Sequence, residues 1–232
     1  VKPAPMLAYA IGTGEFRVLV DVPNGAVPDG VSVKQYVRDT VVPQLPADMQ
    51  TMFCDALERD QLRCMPGSTL HPTTVRMPGT VSLGDHWNMR HPLTGAGMTV
   101  ALSDAVLLSN LLRTVADLSD DAALGAVYGE FLRRRKPLAS TLNCLARSLY
   151  AVFCGDGPLA DMQRGCLLYF KLGGLASEVP MRLLSGLAPA PLTLFVQYTQ
   201  VAIFSCYHTG LVAMYKCWHM LFSAASILAE SR

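Results

Sequence analysis

An α+β fold is what this sequence predicts, with a small strand region, a long helical stretch and a lipid-facing tail. Three observations predict it. Two short β-rich runs flank Gly12-Thr13-Gly14, and apolar residues recur at helical spacing from Met98 onward. From Leu183 to Tyr215 there is no Asp, Glu, Lys or Arg.

Each element follows from local signals. Leu7 to Ile11 and Phe16 to Val22 read as a β-hairpin, and Pro23 to Gly30 as a turn-rich loop. Val33 to Val42 reads as a helix ending before Pro43, because proline has no N–H to donate. Ala47 to Leu57 reads as a second helix, with Met49, Met52, Phe53 and Leu57 at helical spacing. Gln61 to Thr69 is expected to be extended and interrupted by Pro66-Gly67. Pro78-Gly79 should turn, and Thr80 to Leu83 should form a short buried strand.

Pro92 to Arg113 fits a helix carrying Met98, Leu102, Ala105, Leu108 and Leu112 on one face. Asp120 to Arg135 and Pro137 to Phe153 read as two helices; in the second, Leu138, Leu142, Leu145, Leu149 and Val152 form a stripe expected to be core. Gly155 to Pro158 breaks that helix, Leu159 to Leu172 forms another, and Gly173-Gly174 ends it.

The length of 232 residues suits one large domain or two small ones. Hydrophobic residues make up 51% and charged residues 16%, against about 25% charged in ordinary soluble domains. With 19 basic and 18 acidic residues the net charge is +1. No nucleic-acid partner is expected, because a broad phosphate-binding surface needs a clear excess of Lys and Arg. A mean hydropathy of +0.30 argues against disorder.

The tail could supply two short apolar helices broken near His208-Thr209-Gly210. Gln197, Gln200, His208, Lys216 and His219 are costly at mid-bilayer, whereas Tyr198, Tyr207, Tyr215 and Trp218 suit the interface. A monotopic hairpin dipping into one leaflet fits both facts. A buried pair of core helices is the alternative.

The seven cysteines are Cys54, Cys64, Cys144, Cys154, Cys166, Cys206 and Cys217, with no CxxC among them. Reduced thiols facing the cytosol are expected, and no zinc site. The chain opens at Val1 without a signal segment and runs directly into a strand pattern, so it reads as a piece of a longer protein.

The chemistry concentrates between Val81 and Val100. An apolar run ends at Gly84-Asp85, then a loop leads to Pro92-Leu93-Thr94-Gly95-Ala96-Gly97-Met98 at the head of an apolar helix. Gly84 lets a ligand approach the backbone, and Asp85 can accept hydrogen bonds from sugar-like hydroxyls. Pro92 suits a helix's first turn, and Gly95 and Gly97 would expose N–H groups to an anion there. An ordinary strand-turn-helix with a capping Asp would give the same pattern.

This segment resembles the second flavin-binding motif of the flavoprotein monooxygenases, and within them of the squalene monooxygenase (squalene epoxidase) family. Gly84, Asp85, the run Asn88-Met89-Arg90-His91-Pro92-Leu93-Thr94-Gly95 and the run Gly97-Met98-Thr99-Val100 match that family's pattern. The resemblance continues through Leu167-Leu168-Tyr169-Phe170-Lys171-Leu172-Gly173-Gly174, Leu183-Leu184-Ser185, and Pro189 with Pro191. It implies the C-terminal part of a flavoprotein monooxygenase fold, followed by a helical bundle and the membrane hairpin. The implied division is 1–77 as the end of a substrate-binding domain and 78–155 as the close of an FAD domain. Residues 156–186 would be a helical substrate-slot segment, and 187–232 the membrane-associated helices.

The resemblance further implies FAD as cofactor, squalene as substrate, an NADPH-dependent cytochrome reductase as electron donor, and membrane lipid as partner. The expected location is the cytosolic face of the endoplasmic reticulum membrane. FAD would be held by Gly84, Asp85, Pro92, Gly95, Ala96, Gly97 and Met98. Squalene would meet Pro92, Leu93, Phe153, Leu167, Phe170, Pro180 and Leu183. No catalytic side chain and no metal is implied, because FAD with oxygen carries the oxidising step.

His91 is assigned a structural role in the turn. The basic run Arg133-Arg134-Arg135-Lys136 reads as a solvated helix face. Two positions depart from the pattern: Ala96 stands where glycine is usual, and Leu167 where phenylalanine is. An Ala96 held at positive φ would cost about 1 kcal/mol.

A GxGxxG fingerprint for the pyrophosphate is absent. Gly12-Thr13-Gly14 fails at Arg17 and Gly95-Ala96-Gly97 fails at Val100. Gly155-Asp156-Gly157 with Ala160 has no βαβ setting. Alone, this chain is expected to be inactive. Two alternatives remain open: a membrane-anchored remnant that binds squalene or sterol without catalysis, and a flavoprotein hydroxylase acting on another lipophilic substrate.

Overall fold

Helices dominate the computed structural model, which describes residues 6–22, 27, 29–59, 62–65, 67–73, 77, 79–154 and 158–209. The chain divides into two compact units, Val1–Gly67 and Ser68–Arg232. The α+β expectation holds at this level, with one two-stranded sheet among the described residues.

In the first unit, β1 (Met6–Gly12) pairs antiparallel with β2 (Glu15–Val20), Met6 opposite Val20, with one irregularity between Ala10 and Gly12. The open end of the hairpin packs Met6 and Val20 on a small core of Val37, Val41, Val42 and Leu57. The expected single helix over Val33 to Val42 is replaced by three windings. These are α1 (Val33–Tyr36), a widened i→i+5 turn over Val37–Val41, and a 3₁₀ turn over Val42–Gln44 that contains Pro43. The widened turn brings Val37, Val41 and Val42 to one buried side, which a regular helix ending at Pro43 would not. Ser32 caps α1, its hydroxyl accepting from the Gln35 amide at 3.1 Å. The second predicted helix is α2 (Ala47–Glu58), with Leu57 as its buried anchor.

In the second unit, α3 (Gly97–Leu112) packs on the long α4 (Asp121–Cys154). Around α4 stand α5 (Pro158–Lys171), α6 (Leu175–Leu184) and α7 (Pro191–Thr209). The principal core joins Trp87, Ala96, Val100, Ala139, Leu142, Cys144, Leu145, Leu183 and Leu194. Val152, Met162 and Ala202 form a second cluster.

Three sequence expectations are corrected here. Thr80 to Leu83 forms no strand. Thr80 makes only an isolated bridge to Met77, Val81 is exposed, and Ser82 and Leu83 are only half-buried, so the run has no ladder and is not a buried strand. The two helices expected on either side of Lys136 are one, with Pro137 inside it. Phe131 and Arg135 before the proline and Ala139 and Leu142 after it are all buried, and that packing outweighs the lost hydrogen bond. Finally, of the apolar face expected on α3, Met98, Leu102 and Ala105 are exposed and Leu108 and Leu112 half-buried, while Val100 and Asp104 turn inward.

Among the described residues no helix is long and apolar enough to cross a membrane. α7 is described as far as Thr209; Gly210 of the expected break and the second arm with Tyr215, Lys216, Cys217, Trp218 and His219 lie outside the described residues. So do Gly155, Asp156 and Gly157.

Candidate functional site

The Gly84 to Met98 corner is built by turns that reuse their own amides. After extended Leu83, Gly84–His86 makes one 3₁₀ turn in which the Gly84 carbonyl accepts from the amides of Trp87 and Asn88, both at 3.0 Å. Asp85 is thereby left exposed at the surface of the turn. Asn88 and Met89 then tie the chain to Leu70: the Asn88 side-chain Nδ2 donates to the Leu70 carbonyl at 2.8 Å, and Leu70 and Met89 exchange backbone bonds at 2.9 and 3.0 Å.

Pro92–Thr94 is a second 3₁₀ turn, so the helix begins at Gly97 rather than at Pro92. The Gly95 amide donates to the Pro92 carbonyl at 2.9 Å and is not free for a ligand, contrary to the sequence expectation. Gly95 itself sits at φ 63°, a left-handed conformation that glycine adopts without strain. Ala96 sits at φ −82°, so its departure from glycine carries no backbone penalty. Its side chain is in the core.

Ala96 caps α3 without a side-chain acceptor. The helix's first amides, from Gly97 onward, therefore have no capping acceptor among the described residues and keep the N–H groups of a helix start. A Cβ built on Gly97 would stand 3.9 Å from Asp85 Oδ1, so the carboxylate and the helix head share one small surface. The Thr94 hydroxyl, at the end of the preceding turn, is buried with no hydrogen-bond partner among the described residues. His91 takes the turn role expected of it: its Nδ1 accepts from the Leu93 amide at 3.2 Å, and its ring lies 4.1 Å from that of Tyr150.

Two arginines hold the corner from behind. Arg90 donates to Asn143 Oδ1 at 2.7 Å, to Asn88 Oδ1, and to the Ala96 carbonyl at 3.5 Å. Burial lowers its pKa and the carboxylates of Asp85 and Asp104 oppose that, but a guanidinium stays charged. Arg135 stacks on Trp87, pairs with Asp104, and donates to the Ser82 carbonyl at 3.2 Å. Of the expected basic run, Arg133 and Arg134 lie at the surface on Glu130, while Arg135 is buried. Neither arginine was singled out from sequence as part of the site. Arg90 lies inside the matched motif, but Asn143 is 53 residues further on and nothing in the spacing points to it.

An apolar cavity of about 70 Å³ lies between α4, α5, α6 and α7. Leu145, Ser148, Leu149 and Val152 wall it from α4, and Met162, Cys166 and Phe170 from α5. Pro180 and Leu183 come from α6, and Leu194, Gln197, Tyr198, Val201 and Ala202 from α7. Of the expected slot residues, Phe170, Pro180 and Leu183 line it. Pro92 is exposed, Leu93 and Phe153 are half-buried, Leu167 is largely exposed, and none of these four is in the lining. The leucine stripe of α4 is divided: Leu142 belongs to the core, while Leu149 and Val152 face the cavity.

Sequence reasoning missed Tyr198 and Gln197 as cavity residues, having read the first as an interface residue. The Tyr198 hydroxyl donates to the Cys144 carbonyl at 3.4 Å, and burial raises its pKa well above the ordinary value. Gln197 donates to Gln200 Oε1 at 2.9 Å and keeps a buried Oε1 with no partner among the described residues.

Burial also pushes the Cys166 thiol up to about 11 and raises that of Cys144, whereas Cys64 is exposed. At pH 8 iodoacetamide is therefore expected to alkylate Cys64 well before Cys144 or Cys166. Peptide mass spectrometry over time checks this, and early labelling of Cys166 would mean the cavity opens to water. Among the described residues no group of three His, Cys, Asp or Glu side chains could hold a metal.

A family model described as squalene epoxidase matches residues 1–216. The chain belongs to the squalene epoxidase family. It is 44% identical to a squalene monooxygenase of Panax ginseng over 206 residues, covering 87% of this chain and 38% of that protein. It is 40% identical to the squalene monooxygenase of Mus musculus, covering 98% of this chain and 41% of that protein. With a squalene epoxidase of Aspergillus fumigatus the identity is 42%, covering 97% and 49%. The chain thus spans less than half the length of these relatives.

Proposed function

We propose that this chain forms part of an FAD-dependent monooxygenase that epoxidises squalene to 2,3-oxidosqualene in sterol biosynthesis. The observation that carries the reading is the meeting of Asp85 with the free amides at the head of α3, in a chain of the squalene epoxidase family. The residues present fit such a cofactor. An exposed carboxylate can accept from ribityl hydroxyls, amides can donate to an electron-rich ring edge, and the space around Gly95 is open. The unpartnered Thr94 hydroxyl offers one further donor.

When bound, FAD would supply the reactive oxygen chemistry. The chain's own work is to bind, orient and exclude water. Asp85 would fix the ribityl chain. Gly97 and Met98 would donate backbone hydrogen bonds to the pyrimidine edge, where the helix dipole favours negative charge. Leu145, Leu149, Val152, Phe170 and Leu183 would wrap hydrocarbon and keep water from the reacting centre. The cavity volume falls short of the roughly 300–1,000 Å³ usual for ligand sites. Squalene would therefore enter by separating α5 and α7, or reach the cavity with only one end of its chain. Pro92 and Leu93 would meet the substrate at the cofactor side, and Phe153 and Leu167 where the slot continues beyond the cavity.

The exposed Leu192, Ile203 and Tyr207 of α7 support contact with lipid, and we assign the protein to the cytosolic face of the endoplasmic reticulum membrane. An NADPH-dependent reductase would be its electron donor.

Purifying the complete polypeptide in detergent and supplying squalene, reductase, NADPH and oxygen tests the assignment, with 2,3-oxidosqualene as the expected product. A flavin-loaded protein that forms no epoxide would point to another lipophilic substrate. A folded protein without flavin absorbance would end the reading in favour of a non-catalytic binder. Asp85→Ala is expected to lower FAD occupancy at least tenfold while leaving the thermal midpoint of the apoprotein within a few degrees, because Asp85 is exposed.

A further inference from the structure

Arg90 occupies a position that is unfavourable for the protein alone. Its guanidinium donates to the carbonyl of Ala96, the cap of α3, and so stands at the positive end of that helix's dipole. A cation there is repelled, and the natural occupant of a helix start is an anion. The hydrogen-bond acceptors that hold Arg90 are all neutral oxygens, from Asn88, Asn143 and Ala96. Two carboxylates act on it from nearby without pairing with it among the described residues: Asp85, at the surface of the site, and Asp104, which pairs with Arg135 instead. The positive charge of Arg90 is thus fixed in place without a direct ionic partner among the described residues.

The peptide that Arg90 touches is the one whose other end faces the site. Ala96 C=O and Gly97 N–H belong to the same amide, and that carbonyl already accepts from the Val100 amide at 3.2 Å. A charged donor on a carbonyl withdraws electron density from the same amide's N–H, which makes it a better donor.

We propose that Arg90 is a positioning and charge-bearing residue for the cofactor, polarising the Ala96–Gly97 amide so that negative charge on a bound flavin is stabilised and its reduction potential rises. The inference rests on the reading that this corner holds FAD. Reduction adds two electrons and a proton to the ring and leaves negative charge in its pyrimidine half at neutral pH. That charge would face the Gly97 amide with Arg90 behind it. Asn143, reaching from α4, sets the guanidinium's orientation.

The test is a reductive titration of the complete, FAD-loaded polypeptide with dithionite against a reference dye, reading midpoint potential and flavin occupancy. Arg90→Gln should lower the preference for reduced flavin about tenfold, which is about 30 mV for a two-electron couple. Asn143→Asp keeps the arginine but neutralises it, and should lower the potential in the same direction. Arg90→Lys keeps the charge and should stay within about threefold of the parent. Flavin-loaded Arg90→Gln or Asn143→Asp at the parent potential overturns the inference, as does Arg90→Lys falling as far as Arg90→Gln. If neither neutral variant retains flavin, Arg90→Lys decides: near-parent occupancy and potential support the role, and loss of both overturns it. A parent protein without flavin removes the FAD reading itself, whereas a loaded parent insensitive to all three variants removes only the role of Arg90.

Discussion

Replacing Arg135 with alanine is expected to cost about 3–5 kcal/mol of folding stability, the usual penalty for stripping one partner from a buried ion pair. Its side chain and that of Asp104 are 1% and 3% exposed. The guanidinium lies 3.4 Å from the centroid of Trp87 and 4.4 Å from that of Phe131, and also donates to the Ser82 carbonyl. Its removal would leave a buried carboxylate, an unpaired carbonyl and a hole between two rings. The pair is not a large net source of stability, since its attraction must first offset the dehydration of both charges. Replacing both residues together, as Arg135→Met with Asp104→Leu, should therefore cost less than Arg135→Ala alone.

The pH dependence gives the sign. Burial raises the Asp104 pKa and Arg135 opposes the rise. Without the arginine the folded-state pKa climbs further above the unfolded value. The charge penalty is then full above the folded pKa, shrinks as pH falls through it, and is lost only below the unfolded value of about 4, where the carboxyl is neutral in both states. Urea unfolding of parent and variants at pH 7 and pH 5 reads both effects. A single variant within about 1 kcal/mol of the parent at pH 7 would refute the argument.

The same cluster shows what could be read from the sequence and what could not. The hairpin at Gly12-Thr13-Gly14 and helix α2 were legible because turn chemistry and apolar periodicity act over neighbouring residues. That Gly84-Asp85 and Gly97-Met98 come together in one corner was legible for a related reason, since one contiguous motif carries both. Arg135 and Asp104 were not, because the partners are 31 residues apart and a run of four basic residues gives no sign that one of them turns inward. Pro137 misled for the opposite reason. Its local preference is to stop a helix, and burial on both sides keeps the helix going. The expected strand at Thr80 to Leu83 failed because a strand exists only through its pairing, which no local pattern specifies.

Gly165→Ala is the second substitution from which a large effect is expected, and here geometry decides against propensity. In an exposed helix the change to alanine is worth about 1 kcal/mol in stability. At Gly165, however, the added Cβ would lie 2.2 Å from Ser205 Oγ, 2.5 Å from its Cβ and 2.8 Å from its Cα. The hydroxyl could rotate away, but the Cα could not, so α5 and α7 would have to separate. Such overpacking costs about 1–3 kcal/mol, which outweighs the propensity gain. Cys166 and Ala202, close to this contact on the two helices, line the cavity, so the separation should also reshape the slot. Ser205→Gly in the same chain would relieve two of the three contacts and restore part of the loss. Gly129→Ala on α4 meets nothing within 4 Å and should be neutral or stabilising. Thermal midpoints of the four proteins, with squalene turnover of the complete polypeptide beside them, test the point. If Gly165→Ala proved as harmless as Gly129→Ala, α5 and α7 would not meet at this glycine, and the cavity walls they form would need to be redrawn.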